Sequence, residues 1–288
     1  MAERARRDRT RQRLTDPPVD WGHLAGVTLQ GTDHLARGVE AQDAFLARRG
    51  ADGTIALAVA DGAGSRDRSA LGAHLAVDIA VRMLLARRPD EDTQTRWQAC
   101  MEGTASDLIA EFRRLADRIA GGDSSELACT LVAAVIRPPW CGLVCIGDAF
   151  AAVLRRQPDG SELAHLVVPP ELEGEGITVF LTSDRARERI RTDVLWDLAL
   201  SGVVLGSDGI VPLALERPAA QGIDPELAEM LPVQGFFTGL AQDVRATAGE
   251  QVRALLLTPD ARRSTDEHQA ASLDVQLEEA KRLSLIHI

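Results

Sequence analysis

The chain has 288 residues, 45% of them hydrophobic and 26% charged, with a formal net charge of −11. That length supplies a core for one large domain or two small ones, and so acidic a body argues against nucleic acid as its main partner. No uninterrupted apolar run reaches the about 18 residues of a membrane span, and the N-terminus lacks the apolar stretch of a secretion leader, so a cytoplasmic location without a membrane partner is expected.

The first fourteen residues carry six arginines, and Thr15-Asp16-Pro17-Pro18 then breaks the run. Residues 1–20 read as a disordered, solvated tail. Weak strand patterns follow at 24–30 and 43–49, and the apolar run Ile55-Ala56-Leu57-Ala58-Val59-Ala60 predicts a buried strand. A helix is predicted over 69–85, with Leu71, Leu75, Ile79 and Met83 at helical spacing. A second helix is predicted over 97–119, with Leu108, Phe112, Leu115 and Ile119 in line and Gly121-Gly122 ending it.

The period then changes. Short apolar segments at 127–136, 141–146 and 150–154 are separated by Pro138-Pro139 and Gly147-Asp148, which predicts an antiparallel meander. Further strand is expected at 178–181 and 203–205. Residues 166–176, rich in Pro, Glu and Gly, read as a loop or mobile flap. Helix is expected over 225–230 and 236–257. Alternation of Ala271, Leu273, Val275 and Leu277 with polar residues predicts a last strand. Helices segregated from strands indicate an α+β layered fold, not a doubly wound sheet.

The cysteines Cys100, Cys129, Cys141 and Cys145 lie on apolar segments without a CxxC pair, which suits buried reduced thiols. The histidines show no zinc-site spacing, and no Gly-rich loop carries the lysine of a phosphate cradle.

The acidic residues carry the chemistry. Asp61 and Asp208 each end an apolar run and precede a glycine, which lets a backbone approach a ligand closely. Asp43, Asp148 and the pair Asp266-Glu267 stand in comparable places. Taken singly, each Asp-Gly pair is an ordinary turn signal. Gathered together, such carboxylates repel one another unless a cation neutralises them, and all-oxygen ligands select hard ions such as Mg²⁺ or Mn²⁺. Two such ions can activate a water for attack on phosphorus.

The order of the motifs adds a family. Gln42-Asp43-Ala44-Phe45, Val59-Ala60-Asp61-Gly62-Ala63-Gly64-Ser65, Cys129-Thr130-Leu131, Ile146-Gly147-Asp148 and Leu205-Gly206-Ser207-Asp208-Gly209 resemble, in sequence and spacing, the metal-dependent protein phosphatases of type 2C. Gly31-Thr32-Asp33-His34 and Phe180-Leu181-Thr182-Ser183 resemble a bacterial branch of that family, and the resemblance spans roughly residues 25–277. It implies a four-layer β-sandwich of two antiparallel sheets flanked by helix pairs, as a single catalytic domain over 21–278. It implies two bound Mg²⁺ or Mn²⁺ ions, with a third site of lower affinity. Asp61 would bridge two ions, Gly62 would lend its carbonyl, Asp208 would bind one ion, Asp266 or Glu267 would supply the last carboxylate, and Asp148 would serve the third. Asp43 would be a ligand or would accept a hydrogen bond from water. The implied partners are phosphoserine or phosphothreonine proteins, namely a bacterial Ser/Thr kinase or its targets.

The chain also departs from that pattern. Gln42 stands where the family commonly has Glu, and the phosphate-holding arginine of distant members is replaced by Gly38, leaving Arg37 and His34 as candidates. Ala63 stands where some members carry a histidine. These departures leave a second expectation open, a weakly catalytic relative that binds a phosphorylated partner. Residues 283–288, Leu-Ser-Leu-Ile-His-Ile, read like the translation of a sequencing-library adapter, so 279–288 are set apart as a tail and the natural C-terminus is left open.

Overall fold

Two stacked sheets form the centre of the protein, and the apolar runs of the sequence supply their middle strands. The structure is a computed structural model that describes residues 22–29, 41–171, 178–217, 229–258 and 283–287.

The first sheet contains β2 (Ala44–Arg49), β3 (Ile55–Ala60), β4 (Leu131–Arg137), β5 (Trp140–Ile146) and β8 (Arg191–Trp196), in the order β2-β3-β4-β5-β8. The second contains β1 (Ala25–Leu29), β6 (Phe150–Arg156), β7 (Glu162–Val168), β9 (Leu200–Gly206) and β12 (Leu283–His287), in the order β1-β12-β9-β6-β7. All their pairings are antiparallel. A short ribbon pairs β10 (Leu215–Glu216) with β11 (Leu231–Pro232). Every residue of β3, β5 and β9 is buried, because both faces of these strands are covered.

Three apolar layers follow. Ile55, Leu57 and Val59 of β3 meet Val203 and Leu205 of β9 between the sheets. Helices α1 (Ser69–Ala86) and α2 (Gln94–Ala120) cover the outer face of the first sheet. Helices α5 (Gln234–Thr247) and α6 (Glu250–Leu256) cover the second, with Phe237, Leu240 and Val244 packed on Phe150 and Val204. One-turn helices α3 (Ala186–Arg189) and α4 (Val211–Ala214) lie in the connections. This is the four-layer α+β sandwich that the family resemblance implies.

Several elements differ from expectation. Helix α1 buries Gly72, Ala73, Ala76 and Ala80, while Leu71 of the expected apolar line is 44% exposed. Small residues win that face because the helix sits very close to the chain beneath: a Cβ on Gly72 would lie 2.2 Å from the Leu127 carbonyl oxygen. This helix is long and apolar enough to match a membrane span in composition, yet half its length is buried against the sheet. The helix expected over 236–257 breaks at Ala248 and Gly249, both at positive φ, into α5 and α6. Residues 178–181 form no strand, and residues 124–127 open the expected strand 127–136 as a 3₁₀ turn. Strands β7 and β8 fall where no strand is predicted, and β7 takes the first part of the expected flap.

Leu283–His287, set apart as tail by the sequence reading, pairs through its backbone with β1 on one side and β9 on the other. The Arg-rich segment 1–20, most of 225–230 and the strand expected at 271–277 lie outside the described residues.

Candidate active site

Asp61 directly follows β3 in the first sheet, and Asp208 comes two residues after β9 in the second. Since β3 and β9 face each other across the core, both aspartates emerge at one rim of the sandwich. Asp43 immediately precedes β2, the neighbour of β3, and Asp148 lies in the β5–β6 turn.

Asp43, Asp148 and Asp208 all act on Asp61. The Asp61 carboxyl is held well above the usual carboxylate range, first by burial, then by the charge of Asp43, the charge of Asp208, a hydrogen bond shared with Asp43, and the charge of Asp148. The sequence-predicted acids of strand ends and turns therefore converge on one place.

The backbone around them is fixed by named contacts. Thr130 N–H donates to the Asp61 carbonyl at 2.8 Å, and Asp61 N–H donates to Thr130 Oγ1 at 3.2 Å. Gly62 bridges to Cys129, and Ala63 N–H donates to the Ala128 carbonyl at 2.9 Å. A Cβ on Gly62 would lie 2.8 Å from the Ser69 carbonyl group and 2.9 Å from the Gln42 carbonyl oxygen, so only glycine lets these three segments meet. Gly147 adopts φ 93°, where a side chain would strike Thr130 at 2.5 Å, and this turn presents Asp148. Thr178 Oγ1 donates to Asp148 Oδ2 at 3.3 Å. On the Asp208 side, the chain leaves β9 through buried Ser207 into the 3₁₀ turn Asp208–Ile210.

An arginine that the sequence does not single out ties the rim together. Arg191 Nη2 donates to the Gly147 carbonyl at 3.0 Å, and Nη1 donates to the Pro169 carbonyl at 2.8 Å. Glu171, at the edge of the described flap, pairs with Arg189 at 3.3 Å. The expected flap thus has a fastened base at 169–171, and residues 172–177 lie outside the described residues.

The donor set suits a hard cation in its chemistry: carboxylates in mutual repulsion, a cramped glycine turn, and Gln42 Oε1, a buried acceptor with no hydrogen-bond partner among the described residues. Among the described residues no group of three or more His, Cys, Asp or Glu side chains is closed tightly enough to hold an ion by itself. Asp266, Glu267, Arg37 and His34, the other predicted site residues, lie outside the described residues.

A family model described as protein phosphatase 2C matches residues 30–256, which takes in Asp43, Asp61, Asp148 and Asp208. The chain belongs to the protein phosphatase 2C family. Solved structures of other protein phosphatases share the fold. A bacterial serine phosphatase is 14% identical at a TM-score of 0.56, covering 92% of this chain and 96% of that one. A serine-threonine phosphatase 2C from Toxoplasma gondii is 12% identical at a TM-score of 0.58, covering 94% and 96%. A serine/threonine phosphatase from Staphylococcus aureus is 13% identical at a TM-score of 0.53, with the same coverage. A search of curated proteins found no match. Membership in the protein phosphatase 2C family supports serine/threonine phosphatase activity and a phosphoprotein substrate, and the family in general depends on metal.

Proposed function

We propose that this chain hydrolyses phosphoserine and phosphothreonine on proteins with the help of Mg²⁺ or Mn²⁺, and that it reverses the action of a bacterial Ser/Thr kinase in the cytoplasm. The observation that carries the reading is the meeting of carboxylates from both sheets around Asp61. Asp61, the Gly62 carbonyl and Asp208 would hold two ions, with Asp266 or Glu267 completing the set and Asp148 serving a third. Bound there, divalent ions neutralise the carboxylates and the phosphoryl oxygens and lower the pKa of a coordinated water.

The protein's own groups do the rest. Asp43 stands beside Asp61, where it would serve as a further ligand or accept a hydrogen bond from water. Buried Ala63 offers no proton to the leaving oxygen. Pairing of β3, β4 and the Gly62–Cys129 bridge keeps the rim rigid, so electrostatic stabilisation and positioning supply most of the rate.

The test is Mn²⁺-dependent turnover of p-nitrophenyl phosphate and a phosphothreonine peptide. Turnover that vanishes in Asp61→Asn and Asp208→Asn supports the hydrolase. The neutral Gln42 and the open ligand set among the described residues favour a second reading, a phosphoprotein-binding relative. That reading prevails if the protein binds Mn²⁺ and phosphopeptide without turning it over.

A further inference from the structure

Arg191 opens β8, the edge strand of the first sheet, and its guanidinium reaches two other segments of the rim. Nη2 donates to the Gly147 carbonyl at 3.0 Å and lies 3.3 Å from Cys145 Sγ, and Nη1 donates to the Pro169 carbonyl at 2.8 Å. Nε is buried without a hydrogen-bond partner among the described residues, with Glu171 Oε1 3.9 Å away. A buried donor left unpaired is unfavourable. Natural sequences accept such a local cost mainly where function requires it.

The place is specific. Strand pairing ends at Ile146 and resumes at Phe150, so the sheet ladders do not hold the turn between them. The Gly147 carbonyl belongs to the peptide unit that ends at the Asp148 Cα. That unit is planar, so fixing the carbonyl fixes the point from which Asp148 projects. Arg191 holds this backbone just before Asp148, and Thr178 Oγ1 donates to Asp148 Oδ2 at 3.3 Å. The same guanidinium ties the turn to Pro169, at the fastened base 169–171.

We propose that Arg191 is a positioning residue for metal binding at Asp148, acting through the Gly147 carbonyl. The inference rests on the phosphatase reading, in which Asp148 serves a third ion. Groups that hold a metal ligand in place typically change metal affinity by about 10–100-fold when removed. A guanidinium near a cation site also repels the ion, and Glu171 beside Nε offsets that charge. The geometric role therefore sets the sign: without Arg191 the ion is held less tightly.

Calorimetric titration of Mn²⁺ into the full chain tests it, with Asp148→Asn identifying the binding step that belongs to Asp148. Arg191→Met is expected to weaken that step by about tenfold or more and to leave the other steps unchanged. In an Asp148→Asn background it should change Mn²⁺ binding no further. Arg191→Lys, which can still donate to one carbonyl, recovers part of the affinity, and it carries the comparison should the methionine variant not fold. Arg189→Met, which removes the 3.3 Å pair with Glu171 and leaves the Gly147 contact, should match the wild type. A uniform weakening of every Mn²⁺ step, the mark of a merely structural role, overturns the proposal. So does wild-type or tighter binding in Arg191→Met, or a wild type from which Asp148→Asn removes no step. If the wild type binds Mn²⁺ but hydrolyses no phosphoester, the phosphatase reading fails by itself, and the titration still decides the role of Arg191.

Discussion

Asp61 and Thr130 hold each other across the first sheet, Thr130 N–H donating to the Asp61 carbonyl at 2.8 Å and Asp61 N–H donating to Thr130 Oγ1 at 3.2 Å. The contact fixes the backbone from which the central carboxylate projects. Thr130→Val keeps the shape but leaves the Asp61 N–H without its acceptor. A loss of about 1–3 kcal/mol in urea unfolding is expected, together with lower turnover. Unchanged stability would mean that this N–H finds another acceptor.

Asp61 itself opposes folding when no cation is present, because its neighbours repel its charge. In EDTA, Asp61→Asn is therefore expected to be at least as stable as the wild type. Added Mn²⁺ should reverse the order. At one hundred times Kd a ligand contributes about 2.7 kcal/mol, and the variant should gain much less of it. Thermal shift with and without Mn²⁺ reads both arms.

Glu162 on β7 and Arg245 on α5 join the outer helix layer to the second sheet through hydrogen bonds of 2.8 and 2.7 Å. Burial pushes the Glu162 carboxyl up, but hydrogen bonds from Arg245 and Ser201 and the charges of Arg245 and Arg156 together outweigh it, and the net position lies below the ordinary value. A carboxyl depressed in the folded state stabilises above its unfolded pKa and loses that contribution as pH falls through the folded one. Since Arg245 is 37% exposed, screening limits the pair to about 1 kcal/mol. Glu162→Gln should cost about that much at pH 7 and nothing near pH 3, measured as urea midpoints across pH.

Burial raises the thiols: Cys145 to about 11 despite opposing Arg191, Cys141 to about 12, and Cys129 further still, where the Asp61 charge adds to burial. The thiolate is the reactive form. The native protein at pH 7.5 should therefore leave these residues unlabelled by a disulfide reagent, with only half-buried Cys100 reacting slowly. All four should react after denaturation.

The legible parts of the sequence were those where burial is complete. β3 and β9 are interior strands of their sheets; β3 reads as an unbroken apolar run and β9 shows one at Val203-Val204-Leu205, so Asp61 and Asp208 stand out just beyond them. β7 and β8 are edge strands with partly exposed, mixed sequences such as Arg191-Thr192-Asp193, and carry little periodic signal. Arg191 was hidden with them. On α1, Ile79, Leu75 and Met83 of the expected line do pack on the core, and only Leu71 departs, because close approach to the Leu127 carbonyl selects Gly72 and Ala73 at that end of the helix. Thr130 is quoted within a motif, yet its contact with Asp61 needs the pairing of β3 with β4 to be seen.

Gly62 separates the structural demand of the site from its electrostatics. It carries no charge, so replacing it leaves every carboxylate in place. A Cβ there would meet backbone on both sides, the Ser69 carbonyl group at 2.8 Å and the Gln42 carbonyl oxygen at 2.9 Å, and neither is a side-chain end that can turn away. Something must shift, and overpacking of this kind costs about 1–3 kcal/mol. The segments pushed apart are those that bear Asp61, Asp43 and the start of α1 at Ser69. Gly62→Ala should therefore lose stability by that amount, and should also lose Mn²⁺ affinity and turnover although no ligand oxygen has been removed. A variant that unfolds at the wild-type urea concentration and binds Mn²⁺ as tightly would show that the junction of the three segments yields freely, and the rigid rim invoked for catalysis would have to be given up.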